Sequence, residues 1–204
     1  MWKMWIGALT GLAVSSGVAQ AITLDLTIGG PNPPTILLDA FGTDDLAVAA
    51  GSDVPGAEPL VATNASQGLG VSGFPEGRRL AQQASTGFNE FLIFDFGQTV
   101  RVTAIEIFST FNEPQSFSFG VVGESPIDLE TPQAPDNSDQ FTSFNLDFVG
   151  TQFRLTGTEP NGGNQRGVMI SGITVSQVPL PGGLLLVLSG LAALGYTASR
   201  RQSA

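Results

Sequence analysis

The chain has 204 residues, with eight basic and eighteen acidic side chains, and it contains neither cysteine nor histidine. Disulfides, thiolate metal sites and nucleophilic catalysis of the Ser-His or Cys-His kind are therefore excluded, and zinc or copper would lack its preferred ligands. Residues 22–176 hold five arginines against all eighteen acids, a net charge of −13 that excludes nucleic acid as a favourable partner.

The N-terminal segment, residues 1–21, has the features of a secretory signal peptide. Lys3 supplies the positive charge, an apolar run follows, and Ala19 and Ala21 form a small-x-small cleavage site. The apolar run is about half as long as the ~20 residues that span a bilayer, which argues against an N-terminal anchor. We therefore expect passage through the secretion machinery and cleavage by signal peptidase after Ala21.

The central segment, residues 22–176, alternates apolar and polar residues with frequent Pro and Gly punctuation and shows no helical stripe. This pattern predicts an all-β domain of eight or nine short strands, an antiparallel β-sandwich that is jelly-roll-like. Between residues 42 and 64 only short strands are expected. The strand predictions are residues 22–28, 35–41, 90–96, 99–109, 117–122, 141–149, 152–156 and 168–175.

The strongest strand prediction is residues 90–96, which is apolar at nearly every position. Alternation places three of its side chains in the core: Leu92, Phe94 and Phe96. A turn at Gly97-Gln98 is expected to end this strand. In residues 99–109 the apolar positions change parity, which predicts a β-bulge near Ala104.

The C-terminal segment, residues 177–204, predicts a transmembrane helix. Residues 180–198 are uncharged and mostly apolar, close to the ~20 residues that cross a bilayer. Arg200 and Arg201 follow and are expected to stay cytoplasmic, which fixes the domain outside the inner membrane. Before the span stands Val178-Pro179-Leu180-Pro181, whose two prolines hold the chain extended, as a processing enzyme requires.

The order of motif, Leu/Gly/Ala-rich span and arginine pair resembles the VPLPA variant of the PEP-CTERM protein-sorting domain of bacteria. Gly182 replaces the usual alanine, and Gln202-Ser203-Ala204 follows the arginines. The resemblance implies recognition by an exosortase, a multi-pass transpeptidase-like membrane enzyme, and cleavage near the motif. It also implies delivery to the cell surface or the extracellular polysaccharide matrix. A permanent membrane anchor is the alternative.

Carboxylates are the only side chains of the domain that retain a catalytic option, as the acid/base pair of a glycan hydrolase. Such an enzyme needs two carboxyl groups at a defined distance from each other, and the sequence does not give that distance. Without Trp or Tyr, the domain also lacks aromatic side chains that stack on sugars and hydrogen-bond to them. Arg78-Arg79 and the loop of residues 161–166 are candidates for binding hydroxyls or acidic polysaccharide.

No cofactor is predicted, but a structural calcium ion is left open because oxygen ligands are plentiful. The candidate ligands are Asp39, Asp44, Asp45, Asp136 and Asp139.

The sequence thus favours a non-enzymatic protein of the cell surface or extracellular matrix with a structural or adhesive role. A module that binds extracellular polysaccharide is the first alternative, and a carboxylate-dependent glycan hydrolase is a distant one.

Overall fold

The computed structural model describes residues 20–42, 45–53, 56–72, 89–109, 114–133, 138, 140–158 and 167–178. Within Gln20–Val178 the chain forms one compact unit. The predicted transmembrane helix lies outside the described residues. Among those that are described, there is no helix long and apolar enough to cross a membrane.

The described residues form ten strands and no helix, which confirms the all-β prediction. All pairings are antiparallel. The strands are β1 (Ala21–Asp25), β2 (Thr35–Leu38), β3 (Leu46–Ser52), β4 (Leu60–Asn64), β5 (Gly68–Ser72), β6 (Glu90–Ser109), β7 (Ser116–Val121), β8 (Ile127–Glu130), β9 (Gln140–Gly157) and β10 (Met169–Gln177).

Two long strands, β6 and β9, make one sheet curl into two layers. The first part of β6 pairs with β3 and with the end of β9, next to which β7 and β8 follow. We call this half the β3 layer. The second part of β6 pairs with β10 and with the beginning of β9, and β1 and β5 lie on the far side of β10. We call this half the β10 layer.

The inner faces of the two layers enclose one hydrophobic core, which makes the domain a β-sandwich. The fully buried side chains include Leu92, Phe94 and Phe96, as alternation along residues 90–96 predicted. Phe153 of β9 contacts Phe96 edge-on, with ring centroids 5.9 Å apart, and stacks on Phe119 of β7 at 6.0 Å. Burying each such ring contributes about 2–3 kcal/mol. The jelly-roll-like topology stays a prediction.

The prediction of a turn at Gly97 was wrong, because β6 runs through it without a break. Gly97 has a φ of 62°, and the pairing with β9 shifts register between Asp95 and Val100. A positive φ lets the strand bend from one layer into the other while it keeps the same neighbour. Likewise, the two strands predicted over residues 141–156 are the single strand β9.

The bulge predicted near Ala104 is confirmed, since the register with β9 shifts between Val102 and Ala104. The sequence missed β8 and gave only short strands at best for the stretch containing β3. Both lack a clean apolar alternation: β3 is rich in small residues and β8 is largely exposed. These segments are therefore strands because they pair with neighbouring strands of the sheet, and not because of their local sequence pattern.

Candidate functional site

The outer face of the β3 layer carries a cross-strand arrangement of polar and aromatic side chains. Alternate residues of a strand point to opposite sides, so the neighbours of the core residues face outwards. Strand register places them side by side across β3, β6, β9 and β7. One row is Gly51, Phe91, Thr156 and Ser118, and the next is Ala49, Ile93, Arg154 and Gly120.

Arg154 on β9 is held by three contacts in this arrangement. Its guanidinium lies 3.7 Å from the centroid of the Phe91 ring. Its Nε–H donates to Thr156 Oγ1 at 3.1 Å, and Nη2 donates to Asp53 Oδ1 at 3.1 Å. The Arg154 and Asp53 side chains are 38% and 44% exposed, so the ion pair alone contributes at most about 1 kcal/mol. Together the three contacts fix the plane and direction of the guanidinium.

Phe91 is itself fixed from below by the backbone of β3. A Cβ atom added to Gly51 would lie 2.1 Å from Cε2 of the Phe91 ring, so only glycine leaves room for it. The ring thus contacts both the Gly51 backbone and the Arg154 guanidinium. The guanidinium occupies one face of the ring, and this contact orients the arginine.

Arg154 is one of the residues that line a groove of about 290 Å³, which we call the Arg154 groove. Its floor includes Gly120, at which a Cβ would lie 2.7 Å from the backbone of Pro126. Its polar lining groups are Asn89, Ser118, Glu124, Arg154, Thr156 and Thr158. This groove therefore combines one cation, one carboxylate and several neutral donors and acceptors.

The outer face of the β10 layer carries a second, wider groove of about 510 Å³, which we call the hydroxyl groove. Asp25, Gly172 and Glu106 are in register across β1, β10 and β6. Two strand spacings, about 10 Å, therefore separate the backbones that carry the two acids. Thr23 and Thr174 lie beside them and share a hydrogen bond of 2.9 Å between their hydroxyls.

Both acids of the hydroxyl groove accept hydrogen bonds from neighbouring residues. Asp25 Oδ1 accepts from the backbone N–H and the hydroxyl of Thr27, and these bonds lower the pKa of Asp25 below its ordinary value of 3.8. Ser171 Oγ donates to Glu106 Oε1 at 2.8 Å. Asp25 is therefore ionised at neutral pH, which suits hydrogen-bond acceptance better than proton donation.

The structure describes few of the predicted sorting residues. Ala21 is the first residue of β1 and pairs with Ser176 of β10. Val178 follows β10, and its N–H donates to Thr99 O at 3.5 Å. The remaining ones lie outside the described residues: Ala19, Pro179, Leu180, Pro181, Arg200 and Arg201.

Of the calcium candidates, Asp39 and Asp45 are described, and both bind backbone amides of the loop between β2 and β3. Asp45 Oδ1 accepts from the N–H groups of Ala40 and Phe41 at 2.8 and 3.1 Å, and Asp39 accepts from the N–H of Gly42. The described ranges contain no group of three or more acidic side chains placed to hold a metal ion. The calcium site stays a prediction.

The other candidates from the sequence all lie outside the described residues. They are Asp44, Asp136, Asp139, Arg78-Arg79 and the loop of residues 161–166.

The sequence did not single out the groups of the Arg154 groove. Arg154 and Asp53 are 101 positions apart, and the register of β3, β6 and β9 brings them together. The available signal was an arginine at an outward-facing position of the predicted strand over residues 152–156. Nothing in a single sequence connects that arginine to Asp53 or Phe91.

No family model matches this chain, and no curated protein matches it. Among solved structures, it is similar to an exo-β-1,3-galactanase from Phanerochaete chrysosporium solved with galactose (TM-score 0.36, 12% identity, 78% of this chain and 30% of that one). It is also similar to a GH26-CBM35 β-(1,4)-mannanase from Podospora anserina (TM-score 0.35, 12% identity, 80% and 29%).

A third similar structure is the family 32 carbohydrate-binding module of NanJ from C. perfringens in complex with galactose (TM-score 0.28, 9% identity, 63% and 92%). The chain spans only about three tenths of the length of the galactanase and the mannanase.

Proposed function

We propose that the chain is an exported, non-enzymatic bacterial protein of the cell surface or extracellular matrix, with a structural or adhesive role in the envelope or biofilm. A signal peptide directs export, the C-terminal helix anchors the chain transiently in the inner membrane, and an exosortase-type enzyme processes it at the motif beginning with Val178.

One structural observation supports this arrangement. β1 begins at Ala21, the predicted cleavage residue, and β10 ends at Gln177, directly before the motif. The two strands pair with each other, with Ala21 opposite Ser176. The folded domain therefore occupies the interval between the two predicted processing points. Cleavage after Ala21 would remove only the first residue of β1, so both segments are removable without deleting a strand of the core.

We propose no role as a general acid for Asp25 of the hydroxyl groove. A glycan hydrolase needs one carboxyl group that is protonated near neutral pH, usually because its pKa is raised. Among the acids of the hydroxyl groove, Asp25 has its pKa shifted in the opposite direction by Thr27. The distant alternative of a hydrolase would be supported by polysaccharide turnover that one Asp or Glu substitution abolishes.

A module that binds extracellular polysaccharide is the second candidate function, and the Arg154 groove is the observation that favours it. Arg154, held by Thr156 and Asp53, lines this groove together with residues that carry hydroxyl and carboxylate groups. Such mixed donors and acceptors suit the hydroxyls of a sugar. The two candidates are compatible, since a matrix protein can adhere through a glycan.

The intact mass of the protein recovered from its native host, from envelope and medium separately, tests the sorting proposal. We expect a species that begins at Ile22 and ends between Val178 and Pro181, with or without an added group. A mature species that still carries residues 182–204 would contradict processing and leave a single-span anchored β-domain.

A further inference from the structure

We propose that the Arg154 groove binds one neutral pyranose unit of an extracellular glycan through adjacent hydroxyl groups, and that it discriminates against uronic acids. This inference rests on the polysaccharide-binding function proposed above and specifies its site and its ligand class.

The hydrogen-bonding groups of the groove match a vicinal diol. An arginine side chain has five N–H donors in a fixed fork. One of them, on Nε, is bonded to Thr156 and another, on Nη2, to Asp53, while Nη1 has no acceptor among the described residues. Glu124 supplies a carboxylate acceptor, and Thr158 supplies a hydroxyl that can both donate and accept. Each hydroxyl of a sugar also donates and accepts, so donors and acceptors on both sides can be satisfied.

The charge of the groove favours a neutral ligand. Asp53 already balances the Arg154 cation at 3.1 Å, and Glu124 adds a second negative charge to the lining. The domain as a whole carries five arginines against eighteen acids. A uronate would therefore meet net repulsion of the order of one screened charge pair, which corresponds to several-fold weaker binding.

The size of the groove limits the ligand to a small unit, and its chemistry limits the affinity. About 290 Å³ is at the lower end of the ~300–1,000 Å³ typical of small-molecule sites. Phe91 does not line the groove and its ring already stacks on Arg154, so hydrogen bonds exchanged against water must supply most of the binding energy. We therefore expect a dissociation constant on the order of 1 mM for a monosaccharide, with tighter attachment arising from several copies on one polymer.

The test uses the full-length chain, labelled with ¹⁵N in arginine and held in a zwitterionic detergent, because glycoside detergents would compete for the site. The probes are the methyl β-pyranosides of glucose and galactose and the corresponding methyl uronides. We expect the neutral glycosides to shift the Arg154 Nε–H resonance saturably, with little dependence on ionic strength. The uronides should bind several-fold more weakly, with a difference that shrinks as salt is added.

Two variants and a matched control locate the site. Arg154→Lys keeps the charge but loses the fork, and it should weaken binding of the neutral glycosides at least fivefold. Glu124→Gln removes one charge from an exposed turn and should reduce the discrimination against uronides. The control is Arg101→Ala, because Arg101 is a half-exposed arginine paired with Asp147 at 3.1 Å in the β10 layer, and its loss should leave binding unchanged.

Three results would overturn the proposal: no shift of the Arg154 resonance with any probe, tighter binding of the uronides, or unchanged affinity in Arg154→Lys. Adsorption to the host's own polysaccharide separates this failure from that of the module function. If wild type and Arg154→Lys adsorb equally, the module function stands and the groove is the wrong site. If neither adsorbs, the module function fails as well, whereas the terminal masses decide the sorting proposal independently.

Discussion

Replacing Gly51 by alanine should disrupt the support of the Arg154 groove. The new Cβ would lie 2.1 Å from Cε2 and 2.4 Å from Cζ of Phe91, far inside van der Waals contact. The ring must move off β3, which disturbs its contact with the Arg154 guanidinium. Overpacking of this kind costs about 1–3 kcal/mol, and the displaced cation–π contact adds about 0.5–1 kcal/mol. Alanine also reduces the conformational entropy of the unfolded chain, which stabilises the folded state by about 0.4–1 kcal/mol. The net expectation is a destabilisation of about 1–3 kcal/mol.

Gly172→Ala is the matched control, since Gly172 also lies within a central strand of the sheet. Its added Cβ would meet nothing closer than Leu24 O at 3.5 Å and Glu106 Cβ at 3.6 Å, which are ordinary contacts. This substitution should therefore be neutral or stabilise the fold by up to about 1 kcal/mol.

Urea unfolding followed by far-UV circular dichroism measures both variants, because residues 22–176 contain no Trp or Tyr as a fluorescent probe. With a slope of about 2 kcal/mol per molar urea, Gly51→Ala should lower the midpoint by about 0.5–1.5 M. Phe91→Leu replaces the clashing ring by a shorter side chain. In this background, Gly51→Ala should lose most of its destabilising effect. Equal midpoints for the two glycine variants, or an undiminished cost in the Phe91→Leu background, would refute the steric reasoning.

The remaining predictions concern buried hydroxyls and one carboxyl group. Thr142 Oγ1 is buried without a hydrogen-bond partner in the described part of the chain, so Thr142→Val should stabilise the domain by about 1 kcal/mol in urea unfolding. Thr156→Val removes the acceptor for Arg154 Nε–H and should instead destabilise the domain by about 0.5–1.5 kcal/mol. If Thr142→Val proved less stable than Thr156→Val, the Thr142 hydroxyl would have a bound partner such as water. Because Thr27 lowers the folded-state pKa of Asp25 below 3.8, ionised Asp25 stabilises the fold above that pH, and this contribution disappears as the pH falls through the folded pKa. Thr27→Val should return the Asp25 pKa, followed by NMR of its carboxyl carbon, towards 3.8, and an unchanged titration would contradict the assigned cause.

Alternating apolar residues were enough to predict the fold class, because the side chains of a strand alternate between core and solvent whatever their partner strand is. That rule placed Leu92, Phe94 and Phe96 in the core, and a break in the same rule located the bulge near Ala104. It was not enough to interpret Gly97, since a glycine with positive φ serves equally in a turn and in a bent strand. Continued pairing of β6 with β9 on both sides of Gly97 decided between them.

The candidate site also separates what the sequence predicts from what strand pairing decides. The sequence by itself determined the prediction of export and sorting. The signal peptide, the sorting motif and the transmembrane segment are each contiguous, and each can be recognised from the order of its own residues. The sequence also determined which positions of β9 face outwards. Only the tertiary structure decided that Arg154 meets Asp53 and Phe91, since strand register is set by hydrogen bonding between segments far apart in the chain. Local alternation fixes the side of the sheet on which a residue lies, and register fixes its neighbours.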